Sequence, residues 1–456
     1  MRKISSMSTL ALLGVLSGLA PALPANNAKL AAVDSSGCFY VSSSAGPNSS
    51  GYAKIRTVKR AANGSIEYSR DYSYNAYRNN LPVQIRLDGS GNLFVCGNSV
   101  TSDNKAAFFL LKYGPTGQLL WSRAYDGSLD SGRASGLALD SAGDAYVVGS
   151  FRIGSASTDP FVGKVLKYSS AGAFSVDRTV HTQYSTGLAA IQIDASNRIY
   201  VSGTVGTGGG EPTASSLILR YDTAVSQQWS GVSAFPTSKG YATGLAIDGS
   251  ANPIASYNVQ GLDPNDYSFS GSFIVKSSSV NGTPMWTRAL TSASDANSSG
   301  GGLIVDASND VVVGGTESHL GPNGVPTSIY RITRIDGWTG SLEFHSSFAP
   351  PGNFCSVSSL AQDAGGGYLL AGTDSQNSNN GYQMRVPAFL PSGASNGAYY
   401  FWPVNRTQGV SVITGGRSAQ LYAAGYVDVE SGRSPYQAYV NNGNLGYSWY
   451  TETGTP

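Results

Sequence analysis

The sequence predicts an all-β fold, a single β-propeller of eight four-stranded blades, with seven blades as the alternative. Three observations predict it. One unit recurs along the chain, anchored at Asp34, Asp88, Asp140, Asp194, Asp248, Asp306, Asp363 and, in degenerate form, Thr414. A fixed period of this size marks stacked supersecondary units, none of which buries its apolar face alone. Each unit also contains short apolar runs in alternation, separated by Asp, Gly and Asn. Finally, residues 26–456 divide into eight lengths of about 54 residues, enough for four short strands and their turns.

The third unit illustrates the elements in order. Leu137-Ala138-Leu139-Asp140 alternates, Ser141-Ala142-Gly143-Asp144 turns, and Ala145-Tyr146-Val147-Val148-Gly149 returns as the second arm of a hairpin. Phe161 to Tyr168 reads as a third strand, Ser169 to Gly172 as a turn, and Phe174 to Val180 as a fourth strand. Asp suits the turn start because its carboxylate accepts backbone N–H groups two residues on. Gly97, Gly149, Gly203, Gly315, Gly372 and Gly425 recur just past the second strand, as a close backbone approach or a bulge requires.

The second hairpin is marked by a basic–aromatic pair and a turn, as in Lys112-Tyr113 with Gly117, Lys167-Tyr168 with Gly172, and Arg220-Tyr221 with Trp229. Four residues beyond the turn glycine stand Tyr68, Trp121, Trp286, Phe344, Phe401 and Tyr447. A column of large aromatics at that spacing is expected to pack blade on blade.

Met1 to Ala25 reads as a secretory leader. Arg2 and Lys3 precede the apolar run Leu10 to Ala20, and Ala20-Pro21-Ala22 and Leu23-Pro24-Ala25 offer small-residue cleavage sites. The run is too short to span a bilayer, and no later segment is long enough. Residues 26–456 are expected to form one exported domain, secreted, periplasmic or at the cell surface. The chain carries 29 Lys and Arg against 28 Asp and Glu, a net charge of +1. Removing Arg2 and Lys3 with the leader makes it −1, which gives no electrostatic footprint for nucleic acid or an anionic membrane. Cys38, Cys96 and Cys355 are too few for a disulfide scaffold. They read as buried thiols, with a bridge between Cys38 and Cys96 as the alternative.

These units resemble the SBBP-type β-propeller repeat family, whose repeat runs Asp-x-x-Gly-Asn-x-Tyr-Val-x-Gly, then Phe-Val-x-Lys-Tyr, then Gly-x-x-x-Trp. The matching residues are Asp88 to Gly97 with Phe109 to Tyr113 and Trp121, and Asp140 to Gly149 with Phe161-Val162 and Lys167-Tyr168. Unit five departs from it at Pro253, and unit four reads Asp222-Thr223-Ala224-Val225 where a turn glycine belongs. The resemblance implies an exported or surface protein without assigned chemistry. Thr116 to Trp121 is also similar to the tryptophan-docking turn of quinoprotein propellers, but the adjacent cysteines common near that cofactor are missing.

Catalytic signals are sparse. The histidines are His181, His319 and His345, and no zinc or nucleophile-elbow spacing occurs. Candidate ligand-binding residues come from the loops joining strands two and three, which should emerge on one face of the ring. They are Asp103, Asp159, Glu211, Asp263, Asp266, Tyr267, Glu317, Asp374 and Glu430. Converging carboxylates hold a hard cation such as calcium or bind hydroxyls. The longest loop, Tyr257 to Ser272, adds Phe269 beside them for carbohydrate stacking. No cofactor is expected.

The reading is therefore an exported, non-catalytic, monomeric propeller that binds a protein or glycan through one ring face. One alternative is a lyase or hydrolase using carboxylates at the central channel. A structural cell-surface component is the other.

Overall fold

Eight antiparallel sheets follow one another along the chain in the computed structural model, seven of four strands and one of three among the described residues. The described residues are 29–440 apart from 48–49, 51, 64, 77, 101–104, 126–130, 153–158, 181–184, 207–214, 236–238, 263–267, 291–296, 321–325, 351–353, 364, 376–381, 402–407, 416–420 and 430–431. The leader read at 1–25 lies outside them. Blade 1 spans 31–72, blade 2 81–125, blade 3 131–180, blade 4 186–234, blade 5 239–290, blade 6 297–348, blade 7 355–401 and blade 8 408–440. Within each blade the strands pair in chain order, and no helix occurs among the described residues.

First strands pack side by side around the centre. Those of successive blades touch from Ala31–Val33 through to Gln408–Gly415, which packs back on Ala31–Val33. The third strand of blade 8, Gly432–Val440, likewise lies on Phe39–Pro47 of blade 1. Among the described residues the ring is thus closed by packing between blades 8 and 1, and the β-propeller has eight blades. Fourth strands form the outer edge, where exposed residues such as Leu119, Leu120 and Phe174 face solvent.

The turn chemistry explains the regularity of the first hairpin. In blades 1 to 7 the anchor aspartate Oδ1 accepts the N–H groups two and four residues on, as Asp88 does from Ser90 and Asn92 at 2.9 Å each. Asp34, Asp140, Asp194, Asp248, Asp306 and Asp363 repeat the pattern. Three residues past each anchor the backbone is left-handed, at Gly37, Gly91, Gly143, Asn197, Ala251, Asn309 and Gly366. The carboxylate thus satisfies donors that the hairpin bend leaves over, and this one device sets the register of the first two strands.

A second device lies opposite. In blades 2 to 8 the first strand carries a bulge, for example between Val148 and Gly149 in the pairing of blade 3. The recurrent glycine faces it from within the second strand rather than past its end. A Cβ on Gly149 would stand 2.2 Å from the Arg133 carbonyl oxygen, so only glycine fits.

Three details of the sequence reading change. Second strands begin five residues after their anchors, so Leu421 puts the eighth anchor position at 416 instead of 414. Tyr257 and Ser272 are not loop residues: Pro253–Leu262 and Ser268–Ser277 pair as far as Leu262 with Ser268. Gly397, not Phe401, holds the aromatic-column position of blade 7, because it lies two residues into the fourth strand, as Trp121 does. In each case the short turn, not the amino-acid type, sets the register. All three cysteines are free thiols, and burial pushes that of Cys96 up to about 12.

Candidate functional site

Blade-to-blade latches come first, because they create the candidate site. In blades 1 to 5 the basic residue at this third-strand position donates to a backbone carbonyl in the next blade's second hairpin, beginning with Lys59 to Pro115 O at 3.2 Å. Lys112 reaches Ser170 O at 3.1 Å, Lys167 Thr223 O at 2.9 Å, Arg220 Ser279 O at 2.8 Å and Lys276 Gly337 O at 2.6 Å. The aromatic column does the same work beside them. Trp121, Trp229 and Trp286 donate Nε1 to Ser170 O, Ser279 O and Gly337 O. Their rings, with those of Tyr68 and Phe344, lie against the turn glycines of the following blade.

In blades 5 and 6 that second turn is one residue longer. Gly117 and Gly172 close their turns on the carbonyl three residues back, whereas Gly282 and Gly340 bond four back, to Ser278 and Asp336. The extra residue pushes the turn tip outward. Val280 is consequently 77 % exposed and Trp338 79 % exposed.

Trp338 is displayed on a fixed backbone. Asp336 Oδ1 accepts from the Trp338 and Thr339 N–H groups at 3.1 and 2.6 Å. Asp310 Oδ1 accepts from Gly337 N at 2.9 Å, while Lys276 and Trp286 of blade 5 hold the Gly337 carbonyl. Exposure of so large an apolar ring on a tethered turn leaves surface that a partner can cover without ordering the loop.

Carboxylates surround the base of this turn. Oxygens of Asp310, Asp336 and Glu343 lie within 4.8 Å of one another. Arg334 enters the group, donating to Asp306 Oδ2 at 2.9 Å and Asp310 Oδ2 at 2.6 Å, with Glu343 Oε2 at 3.0 Å. Burial opposes the guanidinium charge, but Asp306 and Asp310 outweigh it and raise its pKa. Burial and the Asp310 charge push the Glu343 carboxyl up. Hydrogen bonds from Thr339 pull Asp336 down. One guanidinium therefore faces three carboxylates, with Asp336 alongside them, an acceptor-rich, acidic group next to an open indole. The same three oxygens are the described group whose spacing suits a hard cation, with Arg334 already among them.

Of the residues expected from sequence, two are placed differently and one as expected, and the rest lie outside the described residues. Asp103, Glu211, Asp263, Asp266, Tyr267 and Glu430 lie outside the described residues. Asp159 is half-buried in the connection between the second and third strands of blade 3. Glu317 and Asp374 are not in loops but inside second strands, Val311–Leu320 and Tyr368–Ser375. Asp374 is fully buried and bonded to Arg385. Glu317 Oε2 faces His345 Nε2 at 3.4 Å. The hairpins extend further than their composition indicated, which turns these two acids onto blade faces. His181 lies outside the described residues.

Sequence reasoning missed Trp338. Its signal was the one-residue insertion at Gly337-Trp338-Thr339-Gly340, where the shorter turns of other units carry pairs such as Pro115-Thr116 and Ser170-Ala171.

No protein-family profile matches the chain, and no curated protein sequence matches it. Solved structures of similar shape exist. Ulvan lyase, a polysaccharide lyase of family PL25 also solved with -[GlcA(1-4)Rha3S]- bound, gives a TM-score of 0.49 at 12 % identity, covering 91 % of this chain and 94 % of its own. Puromycin hydrolase gives 0.47 at 10 % identity over 89 % of this chain and 58 % of its own. The lignostilbene dioxygenase of Pseudomonas brassicacearum gives 0.41 at 11 % identity over 86 % and 94 %. No helix among the described residues is long and apolar enough to cross a membrane.

Proposed function

We propose that this chain is an exported, non-catalytic binding propeller that takes a glycan on the face bearing the hairpin turns, with Trp338 as its anchor. One observation carries the reading: a 79 % exposed tryptophan held on a tethered turn beside clustered carboxylates. The C–H face of a pyranose covers an indole, and its hydroxyls donate to carboxylate oxygens, so the pair suits a neutral or amino sugar. The export expectation rests on the leader pattern at 1–25, and the SBBP-type repeat resemblance agrees with it.

A glycan array on the mature protein, followed by calorimetry on the strongest hit, tests the reading. Binding should fall at least about tenfold in Trp338→Ala, a loss of about 1.4 kcal/mol, with the thermal midpoint unchanged. An array without a hit, or a hit that Trp338→Ala binds equally well, defeats it.

A further inference from the structure

Four described blades carry a basic residue at one shared third-strand position. Arg56 pairs with Ser43, Lys164 with Gly149, Arg331 with Gly315 and Arg385 with Gly372. Three of the four are neutralised within their own blade. Arg56 meets Asp71 at 2.7 Å, Lys164 meets Asp177 at 2.9 Å, and Arg385 meets Asp374.

Arg331 breaks the pattern. It is the largest of the fully buried side chains, at 1 % exposure, yet no carboxylate oxygen among the described residues lies within 4.0 Å of it. Its blade's acid, Glu317, is turned to His345 instead. Of the five N–H donors a guanidinium carries, one is used among the described residues, by Nη2 to Ser272 Oγ of blade 5 at 3.5 Å. A buried charge without a counter-charge destabilises a fold strongly, so such groups are normally paired. The neighbours on the same face are suited to a negative guest. Ser272 and Thr333 are fully buried hydroxyls, and Thr333 Oγ1 lies 3.3 Å from His345 Nδ1. Side chains of His345 and Glu317, 40 % and 17 % exposed, form the solvent side of the cluster. Burial lowers the Arg331 pKa, and the nearby Glu317 charge opposes this without cancelling it.

We infer that the seam between blades 5 and 6 is an oxyanion site. Arg331 receives a small carboxylate, phosphate or sulfate group there, with Ser272 and Thr333 as further donors. Entry is past His345, and Glu317 competes with the guest for Arg331. The site is independent of the glycan reading at Trp338, which lies at a hairpin turn.

Thermal denaturation and calorimetry with sulfate, phosphate and acetate test this. Chloride at equal ionic strength is the reference, at low millimolar anion, below the range in which sulfate stabilises proteins generally. The wild-type midpoint should rise saturably. Arg331→Met should keep or raise the anion-free midpoint and lose the response. Glu317→Gln, which keeps Arg331, should bind several-fold more tightly, an effect that a purely structural arginine does not produce; it also decides the matter if Arg331→Met fails to fold. Dextran sulfate separates the two sources: a response to it as well as to sulfate means a pendant group, and a response to the free ions alone means a small solute. Equal midpoints in sulfate and chloride, an undiminished response in Arg331→Met, or Glu317→Gln binding no more tightly than wild type would overturn the inference.

Discussion

The indole of Trp229 lies flat against Gly282 of the next blade, so close that a Cβ on the glycine would stand 2.4 Å from the ring. Gly282 also has a left-handed backbone, φ +76°. Gly91 shares that φ, yet a Cβ there would meet only Pro115, at 3.9 Å. The pair separates backbone strain from collision. Gly91→Ala should cost about 1 kcal/mol and Gly282→Ala about 2–3 kcal/mol. Urea denaturation of both variants reads the difference, and equal losses would mean the blade contact is soft.

Lys276 and Asp248 form an ion pair at 2.6 Å with side chains only 2 % and 1 % exposed. Removing one partner strands the other charge. Lys276→Met should cost about 3–5 kcal/mol, while the double variant with Asp248→Asn should lose clearly less than the two single losses added. A double-mutant cycle by chemical denaturation measures that coupling. Strict additivity would show the pair to be energetically idle.

Ala251 occupies the left-handed turn position that four other blades give to glycine and two to asparagine, with φ 63°. Ala251→Gly should therefore stabilise the chain by about 0.5–1 kcal/mol. Val225 is left-handed too, at φ 59°, but its side chain is fully buried. There the glycine variant exchanges strain for a lost core contact, and no gain is expected. Melting curves of the two variants should move in different directions or by clearly different amounts.

His345 carries the pH dependence of the blade 5–6 seam. Burial lowers its pKa first and the Arg331 charge adds to this, while Glu317 opposes them. Thr333 is the neutral group bonded to it, and Ser272 lies against Arg331. A histidine with a lowered folded pKa contributes stability above its unfolded value of about 6.5, and that stability is lost as pH falls through the folded pKa. In chloride buffer, thermal midpoints should decline below about pH 6.5, with a shallower decline in His345→Gln. Wild-type and variant curves of identical slope would contradict the assignment.

The propeller was legible because its determinants are local. Asp88 with Ser90, Gly91 and Asn92 is a complete turn instruction within five residues, and it repeats. Registers were less legible where turn length varies by one. The placements of Gly397 against Phe401, and of position 416 against Thr414, depended on counting residues through a bend. Two of the acids expected as a converging set, Glu317 and Asp374, were read as loop residues because polar composition was taken for irregular backbone. Glu317 and Asp374 are strand residues whose partners, His345 and Arg385, lie on other strands of the same sheet.

By itself the sequence determined the repeating unit, its turn chemistry and its strand order, since each of these is set by residues a few positions apart. Tertiary structure alone decided which charges are spent inside the ring and which groups remain for a partner. Asp374 and Arg385 cancel within one blade, Arg331 has no such carboxylate among the described residues, and the turn that displays Trp338 is held by Lys276 and Trp286 of the preceding blade. Those relationships join residues facing across strands or about one repeat apart, and only pairing of the strands and stacking of neighbouring blades bring them together.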